Sequence, residues 1–178
     1  NFPQDEKTFP LFKSEYALIK YLGLKICEYY REKNKIFCNV GILYTHVSRN
    51  LKKNFLINEL SFKIKEAIKR GKKTILVNNS HAKLDIMLAS DAVDAMIKLM
   101  KIKKSDTFII SSNKLRSIKD IFFSIKKFHN IKSNISIKSK FKKPKNNFYL
   151  FVNNKKLLKK INWKPTTNLQ KLVKEVLS

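Results

Sequence analysis

Glycine is scarce in this chain: Gly23, Gly41 and Gly71 are the only three in 178 residues, and they stand far apart. A dinucleotide-cradling turn needs glycines close together, so that backbone N–H groups can approach a pyrophosphate at a helix N-terminus. The sequence cannot contain that fingerprint. Cysteine is scarce too. Cys27 and Cys38 have neither metal-ligand nor redox spacing and read as buried thiols rather than a disulfide, and no metal site is expected. No apolar run approaches the roughly 18 residues that cross a bilayer, and the first residues lack a signal-peptide pattern. These absences predict a soluble, cytoplasmic protein with no membrane partner.

Acidic residues are also few, 13 against 39 Lys and Arg, for a formal charge of +26. Such an excess suggests a polyanionic partner. Yet only Arg31, Arg49, Arg70 and Arg116 carry the planar guanidinium that specific phosphate and base recognition favours. The lysines are spread through every segment, without zinc-finger spacing or an aromatic-rich RNA-binding signature, in a composition that resembles an AT-rich coding bias. The charge is therefore expected to be a solvated surface with weak, nonspecific polyanion binding and no specific nucleic-acid partner.

What is present is an alternation of helices and strands in a chain of one domain or part of one. Periodicity predicts helices over 16–33, 54–70, 91–103, 117–128, 153–161 and 169–177, with Gly71 stopping the second and Ser90 capping the third. Strands are predicted over 35–43, 73–77, 107–111, 135–137 and 149–152, and a flexible loop over 138–147. The pattern is that of an α/β fold with mostly parallel strands. Three apolar stripes read as core: Phe55, Leu60, Ile64 and Ile68; Ala92, Ala95, Met96 and Leu99; and Phe122, Phe123 and Phe128. Trp163 is expected to pack the last helix onto the domain, and His81 and His129 to be surface residues.

Tyr16 and Lys20 stand one turn apart at the head of the first helix. Residues at i and i+4 share a helix face, so a phenol and an ammonium can point into one pocket. A free tyrosine keeps its proton until about pH 10, and a fixed cation nearby favours the phenolate and its use as a base. Tyr-x-x-x-Lys alone is a frequent accident in a lysine-rich sequence, so its surroundings decide its meaning.

Those surroundings resemble one family along nearly the whole chain. The run NFPQDEKTFPLFKSEYALIK, from Asn1 to Lys20, is similar to the segment carrying the catalytic Tyr and Lys of extended short-chain dehydrogenases/reductases acting on nucleotide sugars. Within it, the GDP-mannose 4,6-dehydratase branch is the nearest. Tyr30, Arg31 and Glu32 are followed by Gly41-Ile42-Leu43-Tyr44-Thr45-His46-Val47-Ser48, which looks like the branch's Gly-Ile-Leu-aromatic-x-His-x-Ser loop. Asn162-Trp163-Lys164-Pro165 before a last helix resembles its closing Gly-Trp-Lys-Pro.

The resemblance implies the C-terminal part of a Rossmann-like doubly wound sheet plus a small α/β substrate-binding region. It reads residues 1–178 as a partial domain lacking the N-terminal, glycine-rich dinucleotide-binding half. It implies NADP or NAD as cofactor, a nucleotide sugar, GDP-mannose foremost, as substrate, and a homo-oligomer when full length. The product would be a 4-keto-6-deoxy sugar nucleotide; the fragment alone is expected to be inactive. Tyr16 and Lys20 are the implied catalytic pair. They, with Leu43 and His46, are the implied cofactor residues, and Ser14, Tyr44, Thr45, His46 and Lys143 the implied substrate residues. Several positions depart from the family pattern: Thr45 replaces an Asn, Val47 an acidic residue, and Leu84 before Asp85 the Arg of an Arg-Asp pair, removing a two-point phosphate clamp. Lys143 before Pro144 replaces a common Arg, and Asn58 and Glu59 sit where the family tends to carry basic residues. Two other readings stand beside dehydration: a 4-epimerase or 4-keto reductase of the same fold, and a noncatalytic basic binding module.

Overall fold

Helix and strand alternate through the computed structural model, which describes residues 3–140 and 151–178. In chain order they are α1 (Glu15–Lys33), β1 (Val40–Leu43), β2 (Thr45–Val47), α2 (Leu56–Lys69), β3 (Thr74–Val77), β4 (Lys83–Leu88), α3 (Ala89–Leu99), β5 (Thr107–Ile110), β6 (Leu115–Ser117), α4 (Ile118–Phe128), β7 (Ser136–Ser139), α5 (Lys155–Ile161) and α6 (Leu169–Leu177). The strands form three small sheets. β1 runs parallel to β5, with Val40 opposite Thr107 and Leu43 opposite Ile110. β2 runs parallel to β4, whose other edge carries β6 antiparallel, and β3 runs parallel to β7. The architecture is α/β with mainly parallel ladders, and the β4–β6 ladder is the exception.

Two apolar cores hold these sheets. In the larger, Ile57, Leu60 and Ile64 of α2 meet Ile121, Phe122 and Ile125 of α4, and Leu172, Val173 and Val176 of α6 close over them. In the smaller, Trp163 joins Met87, Ala92, Ala95, Leu99, Phe108 and Leu157. The helices are started by local chemistry: Ser117 and Asp120 form a reciprocal capping box at α4, and Asn168 caps α6. Gly71, at φ +61°, ends α2 in the left-handed conformation that suits glycine.

A seam of buried polar groups joins the two cores. Asp91, in the first turn of α3, accepts hydrogen bonds from the backbone N–H and hydroxyl of Thr166 and from those of Thr167. Arg116 on β6 donates to the carbonyls of Ile86 and Thr167 and to Ser112 Oγ. Asp85 accepts from Ser112 N at 2.7 Å and Lys114 N at 3.2 Å. Burial is the main reason the Asp85 carboxyl titrates above its ordinary range.

Several expectations are corrected. The strand predicted over 35–43 is confined to Val40–Leu43, because Lys35 turns the chain at φ 54°. Ser90 lies inside α3, which begins at Ala89 after Leu88 and carries no side-chain cap. Trp163 packs against α3, β5 and α5, whereas α6 belongs to the other core. Phe55, Ile68, Met96 and Phe123 are exposed, so the true inward stripe of α2 is Ile57, Leu60, Ser61, Ile64 and Ala67. His129 is half-buried, its Nε2 2.9 Å from Ser61 Oγ. β2, β4 and β6 have no counterpart among the predicted strands. Residues 138 and 139 of the expected loop belong to β7, and 141–147 lie outside the described residues. Cys27 and Cys38 are free and half-buried.

Candidate active site

Ser14 stands in extended backbone before α1, and its Oγ accepts the Ala17 N–H at 3.2 Å. That bond satisfies one of the orphan donors of the first turn and fixes the start of the helix. The residue predicted to line the substrate pocket therefore acts as the N-cap that positions Tyr16 and Lys20. These two share a face as their spacing requires, with Lys20 Nζ 5.5 Å from the centroid of the Tyr16 ring. Tyr16 is 70% exposed, so the pair is open to solvent and to any partner that covers it.

At the other end of α1, Arg31 donates to the Cys38 carbonyl at 3.2 Å and to Thr107 Oγ1 at 3.1 Å. The tail of the helix is thus tied to the starting ends of β1 and β5. Leu43, 41% exposed, closes β1 at its other end. Tyr44 follows, its phenol donating to Gln4 Oε1 at 2.5 Å and its N–H to the Ile110 carbonyl at 3.1 Å. Burial, with a contribution from the Asp85 charge, pushes the Tyr44 phenol up to about 12. Its hydroxyl holds the N-terminal segment against the sheet as a neutral donor. Thr45 and His46 are exposed on β2, and His46 Nδ1 lies 3.0 Å from the Tyr44 carbonyl. Lys143 lies outside the described residues.

Arg116 is a buried cation whose place the sequence reading did not single out. It stands directly across the β4–β6 ladder from Leu84, the position where a guanidinium was expected. The missing charge is therefore present one strand away, but it is 7% exposed and spends its donors on backbone carbonyls and Ser112. Burial lowers its affinity for the proton, opposed by Asp85 and Asp91. Nearby, at the end of β5, Asn154 Nδ2 donates to the Ser111 carbonyl at 2.8 Å. Ser111 Oγ and Asn154 Oδ1 are buried there without a hydrogen-bond partner among the described residues. No spacing in the sequence announces that pair.

None of the glycines forms a phosphate cradle. Gly71 ends a helix, Gly23 faces open space on α1, and at Gly41 an added Cβ would meet Ile110 Cδ1 at 2.9 Å, so this glycine serves close packing of β1 on β5. The described residues hold no group of three or more potential metal ligands. What they supply is a capped helix with an exposed phenol–ammonium pair at its head. Among the described residues no glycine-rich turn offers a seat for a dinucleotide's pyrophosphate.

The fold is that of Rossmann-like epimerases and dehydratases. RMD from Pseudomonas aeruginosa, complexed with NADPH, superposes with a TM-score of 0.82 at 15% identity, over 97% of this chain and 58% of that one. UDP-N-acetylglucosamine 4-epimerase from Bacillus cereus gives 0.78 at 21% identity, over 99% and 58%. The chain belongs to the GDP-mannose 4,6 dehydratase family, whose model matches residues 1–176. GDP-mannose 4,6 dehydratase 2 of Caenorhabditis elegans is 25% identical over 99% of this chain and 51% of its own length. The chain spans about half the length of the curated relatives it matches. Among the described residues no helix is long and apolar enough to cross a membrane.

Proposed function

We propose that residues 1–178 are the part of a nucleotide-sugar 4,6-dehydratase that carries the Tyr/Lys pair, acting with NADP or NAD on GDP-mannose or a close analogue. The observation that carries this reading is the Tyr16–Lys20 pair: one exposed face, at a capped helix head, in a chain matched by the family along its length. The half-length match and the solvent-exposed apolar face of α1 support a second, dinucleotide-binding half that packs there.

When bound, the nicotinamide supplies hydride acceptance and return. Tyr16 would act as the tyrosinate, its Oη taking the proton of the sugar 4-hydroxyl and so becoming the neutral phenol; the Lys20 ammonium would stabilise the tyrosinate before that transfer and hydrogen-bond the ribose. In this reading Leu43 and His46 join the pair at the cofactor, and Ser14, Tyr44, Thr45, His46 and Lys143 serve the sugar nucleotide. Loss of water across C5 and C6 needs a further acid/base group that these residues do not provide.

The test is Tyr16→Phe in the enzyme containing this chain. Removing the phenolic proton acceptor is expected to lower turnover by about 10² to 10⁴ with circular dichroism unchanged. Unaltered function in that variant would favour the noncatalytic binding module. Product analysis separates the remaining reading: the epimerase neighbour supports 4-epimerisation, and a product that keeps its 6-hydroxyl would rule out dehydration.

A further inference from the structure

At the end of the β1–β5 pair opposite Leu43 and Tyr44, the fold gathers lysines that the sequence spreads over three segments. A recess of about 280 Å³ is lined by Lys104, Asp106, Phe108, Lys156, Lys159 and Lys160. A second, of about 670 Å³, shares Lys104 and Asp106 with it and adds Arg31, Lys35, Lys103 and Phe37. Two carboxylates face this trough, Asp106 and Glu32, and Asp106 is taken by Lys156 at 2.8 Å. Lys35, Lys103, Lys104, Lys159 and Lys160 form no ion pair among the described residues. Against the one remaining carboxylate, Glu32, five ammonium groups without an ion pair leave an excess of positive charge that favours anions between them. A single phosphate offsets at most about two positive charges, whereas a strand of phosphates offers one negative charge to each ammonium along its length. Phe37, 50% exposed at the basic rim, offers the flat apolar surface on which a base stacks.

We propose that this end of the chain is a binding surface for single-stranded polynucleotide, its phosphates along Lys103, Lys104, Lys159 and Lys160 and one base on Phe37. The surface is separate from the Tyr16 region. Its chemistry is independent of the dehydratase reading and goes beyond it. Sequence-independent binding of this kind needs ammonium groups and a stacking ring, and no guanidinium fork.

Fluorescence anisotropy of a labelled oligouridylate, titrated with the full chain at two salt concentrations, tests the proposal. Lys104→Glu/Lys159→Glu/Lys160→Glu is compared with a charge-matched control, Lys53→Glu/Lys127→Glu/Lys132→Glu, on exposed positions elsewhere. The first triple is expected to weaken binding at least about tenfold and to flatten the plot of log K against log salt by roughly two, since each lost phosphate contact on a single strand removes about 0.7. The control is expected to change affinity less than about threefold, and Phe37→Ala to weaken it by about tenfold. The Gln versions of the first triple reproduce the loss without charge reversal should the Glu variant misfold. Equal losses in both triples would assign the affinity to the overall charge and overturn the proposal. So would full displacement of the oligonucleotide by an equimolar concentration of pyrophosphate, which would mark a small-anion site, or a Phe37→Ala variant that binds as tightly as the parent.

Discussion

Asp91 shows how far a single side chain can reach in this molecule. Its carboxylate satisfies both backbone N–H groups and both hydroxyls of Thr166 and Thr167, and Thr167 in turn gives its carbonyl to Arg116. The connection between α5 and α6 is therefore pinned to α3 and β6 by polar bonds in a place where unmet donors are costly. Removing one partner of a buried charged network costs about 3–5 kcal/mol, because the other groups stay buried without it. With a urea m-value of about 2 kcal/mol/M, Asp91→Ala is expected to move the unfolding midpoint down by roughly 1.5–2.5 M. Trp163, the one tryptophan and 1% exposed, reports it by fluorescence. A shift under about 0.5 M would show that the seam contributes little. None of this was legible in the sequence, where Asp91 reads as an acidic residue of a first helical turn. Its partners lie 75 and 76 residues away, and no local pattern encodes them.

At the scale of the element, α1 is the clearest case of a helix read correctly whose apolar side finds no cover in this chain. Its length and the Tyr16–Lys20 face are visible in the sequence, whereas its Ser14 cap reads there as a substrate residue. Its amphipathicity misleads, because the helix buries none of its 19 residues. Leu18, Ile19, Leu22, Ile26, Tyr29 and Tyr30 are all at least 45% exposed, while Arg31 and Glu28 sit on the more sheltered side. Periodicity states that a helix has an apolar side; it does not state that the covering surface belongs to the same fragment. By contrast α6 was placed residue for residue, because its stripe of Leu172, Val173 and Val176 finds its cover within the chain. The outward stripe of α1 predicts that Leu22→Gln/Ile26→Gln leaves the stability of this chain within about 0.5 kcal/mol, as for ordinary surface changes. The same double variant should reduce self-association in sedimentation velocity, since exposed apolar patches of this kind drive it. A loss of several degrees in Tm would mean that the stripe is buried after all.

The whole molecule carries the same signature in its area. A folded monomer of 20.9 kDa is expected to expose about 9,000 Å². This chain exposes 12507 Å². The difference is comparable to what a large permanent interface covers. It coincides with an open sheet: among the described residues β1 pairs with β5 alone, and each of the three small sheets has two or three strands. Parallel strands are ordinarily sheltered on both faces and by neighbours on both edges, and an uncovered parallel edge is a template for further pairing. The charge of +26 keeps such chains apart at low salt and adds a self-repulsion that loosens them, so the two effects act against compactness together. Isolated residues 1–178 are therefore expected to unfold over a broad thermal range, to bind the dye ANS before the transition, and to self-associate as salt screens the charge. If the proposed glycine-rich dinucleotide-binding half packs on β1 and α1, a polypeptide that adds it should lose all three behaviours. Light scattering and calorimetry on the isolated chain decide the matter. A monodisperse monomer with a calorimetric enthalpy equal to its van't Hoff value would show that the chain is a finished domain, and the exposed α1 face would then need another explanation.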